Sequence, residues 1–231
     1  MTAIKLDAAR PDAAQELAES RYSCGMGTDA DEVHAWRAGD EAAGEALFER
    51  YYDGVARFFY NKVGEQAADL IQRTFLACLE GLERLEDPER FRSYLFGIAH
   101  NQLRKFYRNK HRDAGKLDFN LTSVHDLAPT PSRLIANRQE ERLLLEGLRR
   151  IPLDYQVALE LFYWEGMSAA EIGEVVGIPL GTAKTRLRRA RQLLRDELAQ
   201  IAASPELLRT TLDGLDGWAQ GLRAQVADSE G

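Results

Sequence analysis

The chain has 231 residues, 45% hydrophobic and 29% charged, with a formal net charge of −7 at pH 7. That balance fits a globular chain with one sizeable core or two small ones. No run nears the roughly 18 apolar residues of a membrane span, and the opening MTAIKLDAARPDAAQELAES lacks the basic head and apolar centre of a secretion signal, so a cytoplasmic location is expected.

Residues 1 to about 28 show no helical period and are expected to be flexible. Residues 1–54 hold five bases against twelve acids, which accounts for the whole net charge. An acidic average therefore leaves room for basic surfaces downstream. Asp31 to Ala38 reads as a short helix stopped by Gly39. Glu41 to about Tyr60 reads as another, with Ala43, Ala46, Leu47, Tyr51 and Val55 on one face. After Gly64, Ala67 to Leu85 places Leu70, Ile71, Thr74, Phe75, Cys78, Leu79 and Leu82 on a buried side. Asp87-Pro88 marks a turn, and Arg92 to about Lys110 is helical, apolar at first and basic at its end.

Composition then shifts. Residues 111–133 hold two prolines, scattered polar groups and no period, the signature of a linker. Ser132 is placed to cap a helix from about Leu134 to Arg150, and Pro152 opens another through Trp164. Ser168-Ala-Ala-Glu171 is a capping box, in which the serine accepts from a backbone N–H and the glutamate reaches back. Ile172, Val175 and Val176 give that helix its apolar face, and Gly177 stops it. A basic helix follows Pro179, and Pro205 to about Val226 reads as an amphipathic tail helix with Leu207, Leu208, Leu212, Leu215 and Trp218.

A short capped helix, a glycine turn and a second helix form a helix-turn-helix, whose second helix enters the DNA major groove. At about 100° per residue, Ala183, Leu187, Ala190 and Leu194 share an inward stripe. Lys184, Thr185, Arg188, Arg191 and Arg195 share the outward face, flanked by Thr182 and Arg189. Arginine reads guanine or neutralises phosphate. The plainer reading is a solvated basic helix, against which stand the capped partner helix, the turn glycine and the segregated stripe.

Residues 90–112, RFRSYLFGIAHNQLRKFYRNKHR, interleave aromatic with basic side chains. Aromatic faces stack on unpaired bases while bases of the protein hold the backbone. For each aromatic taken alone, ordinary core packing is the competing reading. Cys24 and Cys78 make neither a disulfide framework nor a metal spacing, His34, His100, His111 and His125 are scattered, and no nucleophile–base pair or phosphate loop is present.

Together these stretches resemble the extracytoplasmic-function (ECF) branch of the bacterial sigma-70 family, over about residues 31–198. AWRAGDEAAGEALFERYYDGVARF resembles the start of its sigma-2 domain, and DLIQRTFLACLEGL the segment that binds the β′ coiled coil of RNA polymerase. FRSYLFGIAHNQLRKFYR is similar to the segment that opens and reads the −10 element. LRRIPLDYQVALELFYWEGMSAAEIGEVVGIPLGTAKTRLRRARQLL is similar to the sigma-4 domain that reads the −35 element. The resemblance implies an all-α fold of two small helical domains joined by a flexible linker. The expected parts are an acidic extension (1–30), sigma-2 (31–112), a linker (113–133), sigma-4 (134–198) and a tail (199–231).

The implied sites are Asp69, Gln72 and Arg73 for core polymerase, and Phe91, Arg92, Tyr94, Asn101, Arg104, Lys105 and Arg108 for the −10 element. Thr182, Lys184, Thr185, Arg188, Arg189 and Arg191 are implied for the −35 element. The implied partners are core polymerase (β′ coiled coil and β flap), promoter DNA and an anti-sigma factor, with no cofactor, metal or covalent chemistry. Arg73 stands where the family usually has an acid, Gly97 where a basic residue is common, and Tyr94 where tryptophan is common. Two other readings are a helix-turn-helix regulator acting on duplex DNA without polymerase, and a sigma relative serving only as an interaction module. The acidic N-terminal region is a candidate cover for a basic DNA face, and the tail helix is a candidate dock on sigma-4.

Overall fold

A computed structural model describes residues 28–111, 117–127 and 138–214. Residues 1–27 of the expected acidic extension, the Ser132 cap, and Leu215 and Trp218 lie outside them, while the end of that extension is helical, because Thr28 caps a helix that opens at Asp29. The first unit contains α1 (Asp29–Arg37), α2 (Glu41–Val63), α3 (Ala67–Gly81) and α4 (Phe91–Lys110). Thr28 and Asp31 form a capping box, which starts α1 two residues before the expected Asp31. Arg50 of α2 reaches Asp29 at 2.5 Å and Glu32 at 2.6 Å, clasping α1 to α2. Trp36 lies over Gly44, where a Cβ would meet its indole at 2.6 Å, so glycine sets this approach.

Helix α2 runs past the expected Tyr60 to Val63 and ends at Gly64, φ 59°. Asp87 caps the turn before α4. Phe91, Leu95, Phe96, Ala99, Leu103 and Tyr107 of α4 are wholly buried against Tyr51, Phe58 and α3. Each such large apolar side chain contributes about 1.5–3 kcal/mol. On α3, Leu70, Ile71, Thr74 and Cys78 point inward as expected. Leu79 does not: it is 51% exposed, beside Leu76 at 53%. The helix is apolar on two sides, and only one of them meets the core.

The stretch read as linker carries a docked piece, with Phe119, Val124 and Leu127 buried around α5 (Val124–Leu127). Its carbonyls at Phe119 and Thr122 accept from Asp154 and Leu153, both at 3.0 Å, so it abuts the second unit. That unit holds α6 (Gln139–Arg150), α7 (Leu153–Tyr163), α8 (Ala169–Val176), α9 (Leu180–Ile201) and α10 (Pro205–Asp213). Helix α9 packs on α6, α7 and α8, and α10 lies on α6. The two units are closed on each other. Helix α4 runs along α8, and α2 touches α6.

Candidate nucleic-acid and polymerase interfaces

The helix-turn-helix is built by local sequence. Ser168 accepts from the Glu171 backbone N–H at 3.3 Å, and the Glu171 carboxylate accepts from the Ser168 N–H at 2.8 Å. Gly177 closes α8 in the left-handed region at φ 71°. A Cβ on Gly173 would come within 2.8 Å of the Ile178 carbonyl oxygen, so a bare glycine lets the turn fold against α8. Ala183, Leu187, Ala190 and Leu194 are buried as one stripe.

That stripe sets the outward face. Thr182, Lys184, Thr185, Arg188 and Arg189 are exposed along the first half of α9, a span that contains no acid. Arg191, read from the sequence as outward, is turned partly inward. Its guanidinium lies 4.8 Å from the Phe162 ring, and its Nε donates to the Tyr163 hydroxyl at 3.1 Å. Those rings sit on α7, where helical periodicity within α9 gives no hint of them.

The −10 candidates divide by burial. Phe91 is completely buried with its ring 5.6 Å from Tyr51, so it is core and unavailable to stack on a base. Asn101, Lys105 and Arg108 are exposed. Tyr94 is half-buried, its hydroxyl pressed on Gly81. It lines an open groove of about 390 Å³ together with Arg90, Ser93, Gly97, Ile98 and Glu174. Arg104 stacks on Phe119 at 4.8 Å and approaches Asp154 at 3.5 Å. Arg92 pairs with Glu171.

The core-polymerase candidates Asp69, Gln72 and Arg73 share the exposed side of α3. Arg73 donates to Asp69 at 2.9 Å, one turn apart, which places a cation against the acid it flanks. Next to them lie Leu76, Leu79 and the 43% exposed Tyr52, whose ring stacks on Phe75 at 6.2 Å. Helical spacing alone puts Leu79 with the core residues, and this apolar patch therefore emerges only from the fold. Its signal was a helix with more apolar positions than one buried face needs.

Between the units runs a graded row of ion pairs. Arg90 reaches Glu174 at 2.5 Å at the wet rim, with side chains 58% and 34% exposed. Arg57 meets Glu165 at 3.0 Å, both under one-tenth exposed. At the centre Lys62 pairs with Glu160, where Asn61 donates to Glu160 at 3.3 Å and Gln156 at 2.8 Å. Burial lowers the Lys62 pKa and raises that of Glu160, each toward its neutral form, while each partly holds the other charged. Burial also opposes charge on Glu171, yet Arg92 and the Ser168 cap outweigh it and hold its carboxyl below the usual range. His100 is buried where α4 meets α8, its pKa pushed down to about 3 by burial and by Arg104, Arg186 and Lys62.

Among the described residues, no cluster of three or more His, Cys, Asp or Glu side chains suits a metal ion, and no helix is long and apolar enough to cross a membrane. Comparison with known proteins supplies the rest. Residues 47–113 match Sigma-70 region 2, and residues 141–194 match Sigma-70, region 4. The chain is 33% identical over 172 residues to the RNA polymerase sigma factor CarQ of Myxococcus xanthus, covering 73% of this chain and 97% of that one. It is 31% identical over 170 residues to the ECF RNA polymerase sigma factor SigE of Mycolicibacterium smegmatis, covering 70% of this chain and 65% of that one. The fold matches CnrH, solved in complex with the cytosolic domain of CnrY, with TM-score 0.54 and 23% identity over 75% of this chain and 99% of that one. It also matches RpoE of Bartonella quintana, solved with the anti-sigma factor NepR, with TM-score 0.52 and 20% identity over 68% and 97%. With both sigma-70 regions present and in order along it, the chain belongs to the extracytoplasmic-function branch of the sigma-70 family of RNA polymerase sigma factors.

Proposed function

We propose that the chain directs RNA polymerase core to promoters as a two-part reader, with residues 31–112 acting as sigma-2, 113–133 as linker and 134–198 as sigma-4. The observation that carries this is the pairing of two surfaces on one chain. One is the polar and apolar face of Asp69, Gln72, Arg73, Leu76 and Leu79. The other is the acid-free face of Thr182, Lys184, Thr185, Arg188 and Arg189. The first suits a protein partner and the second a duplex groove. Asn101, Lys105 and Arg108, with Tyr94 in its groove, supply the −10 contacts, and Arg92 and Arg104 join them when released from Glu171 and Asp154. In this reading the chain performs no covalent step and works in the cytoplasm, where polymerase is. Its structural neighbours were solved with CnrY and with the anti-sigma factor NepR, which supports a regulator of that kind here.

The test is reconstitution. Mixed with purified core, the chain should yield promoter-dependent transcripts whose start sites share two upstream elements. Leu76→Glu with Leu79→Glu should abolish co-purification with core. Arg188→Ala should weaken −35 discrimination by about 1–3 kcal/mol if it reads a base, or lower affinity evenly across sequences if it holds a phosphate. Protection of duplex sites with core never co-purifying would instead identify a stand-alone regulator.

A further inference from the structure

Arg57, Lys62, Arg90, Arg92, Arg104 and Arg186 each lie beside a carboxylate. Arg191 is held in another way, and among the described residues it has no carboxylate partner. Its guanidinium carbon lies 4.8 Å from the centre of the Phe162 ring and 5.7 Å from that of Tyr163. The two rings stand at 86° to each other with centroids 5.1 Å apart, so they make two walls of one corner. The Arg191 Nε donates to the Tyr163 hydroxyl at 3.1 Å. Both rings belong to the last turn of α7, where the helix dipole presents its negative end and favours a cation. A carboxylate would cancel the charge it holds, whereas rings and a phenol orient the guanidinium and leave its charge intact. With Nε engaged, the terminal N–H groups stay available, and they form the planar fork that fits phosphate oxygens.

We propose that Tyr163, with the Phe162 ring as the second wall, is a positioning residue for DNA binding: it holds Arg191 as a preformed clamp on a duplex phosphate beside the −35 element. This rests on the helix-turn-helix half of the sigma-factor reading and adds to it residues that come from α7. Phosphate follows from the direction of the side chain. Base edges lie under the crest of a groove-docked helix, where Lys184, Thr185 and Arg188 are exposed. Arg191 leans off that crest toward α7, on the flank where a backbone strand passes. Preforming matters because a free arginine has many rotamers to lose when it is fixed on DNA. The rings impose that order before the duplex arrives. Phosphate contacts carry no sequence information, yet they set the register of the reading helix. Held from α7, Arg191 ties the register of α9 in the groove to the body of the domain.

The experiment uses the full chain and a fluorescein-labelled duplex of random sequence, because a phosphate contact needs no particular promoter. Anisotropy gives the affinity at several salt concentrations. Arg191→Gln should flatten the slope of log affinity against log salt by about 0.9, the share of one phosphate. Tyr163→Phe deletes only the hydroxyl and should weaken binding about three- to tenfold, the worth of one hydrogen bond. Placed on top of Arg191→Gln, the same change should have no effect, since the residue it acts through is gone. A tyrosine that merely props the fold would cost the same in both backgrounds, and that result overturns the proposal. An unchanged salt slope in Arg191→Gln overturns it too, as does unchanged affinity in Tyr163→Phe or a failure of the unaltered chain to bind duplex. Should circular dichroism show that Arg191→Gln does not fold, Arg191→Lys takes its place in the cycle. Lysine keeps the charge without Nε and the planar fork, so Tyr163→Phe should then cost less than it does beside arginine; an undiminished loss overturns the proposal. Co-purification with core is scored separately: its failure sinks the sigma-factor reading and leaves the duplex measurements standing.

Discussion

Lys62 has no exposed side-chain area, and its Glu160 partner lies 98 residues away in sequence. Neither residue could be read from the sequence as special. One belongs to the end of an ordinary helix and the other to an apolar one, and only folding brings them together. Removing one charge leaves the other stranded without water, which typically costs about 3–5 kcal/mol. Here the penalty falls on docking, because an opened molecule returns Glu160 to solvent. Lys62→Met should therefore expand the chain in scattering while leaving each unit's circular dichroism intact. Lys62→Met with Glu160→Leu should close it again.

His100 gives the same contact a pH dependence. Its pKa is about 3 in the closed chain, against about 6.5 when exposed, so the opened form binds the proton. The groups facing it are Arg104 on its own helix, Lys62 on α2, Arg186 on α9 and the Val175 backbone on α8. Closure draws its full benefit from neutral His100 above about pH 6.5 and loses it as pH falls below that value. Glu171, whose pKa is depressed, adds a loss only below about pH 4.3. Scattering between about pH 6.5 and 4.5 should show progressive expansion, and His100→Gln should abolish that dependence.

At the scale of elements, what was legible was local. The Ser168–Glu171 box, Gly177 and the Ala183–Leu194 stripe each lie within a few turns of chain, and the structure has all three. Phe91 was not legible, because spacing alone does not separate a core ring from a stacking platform. Arg191 was missed as a stacked residue, because its rings come from α7. The legible parts have measurable weights. Ser168→Ala removes one half of the box and should cost about 1 kcal/mol. Gly177→Ala forces a Cβ into the left-handed region and should cost about 1–2 kcal/mol. No neighbour lies within 4 Å of that Cβ, so the loss is pure backbone strain. A thermal melt should show each as a downward shift of several degrees.

Across the whole molecule, helix content and the order of the two regions were readable, whereas their mutual docking was not. Docking depends on acids scattered from Asp154 to Glu174 meeting bases from Arg57 to Arg104. No window of sequence contains both sets. Because the rim pairs are wet and the central ones dry, salt should act unevenly. Raising ionic strength well past about 0.1 M, where the Debye length is about 10 Å, should loosen the Arg90–Glu174 edge first. The Lys62 centre should follow only at higher salt, and hydrogen exchange at α8 should precede exchange at α7.

Helix α8 serves two masters within eight residues. Ile172 and Val175 face the core that supports α9, while Glu171 and Glu174 face α4. A genetic screen would see this as opposite phenotypes interleaved along a single helical turn. Lesions at Ile172 or Val175 should be recessive losses of promoter use. Lesions at Glu174, which takes no part in the cap, should instead leave promoter use intact and loosen only the contact with Arg90.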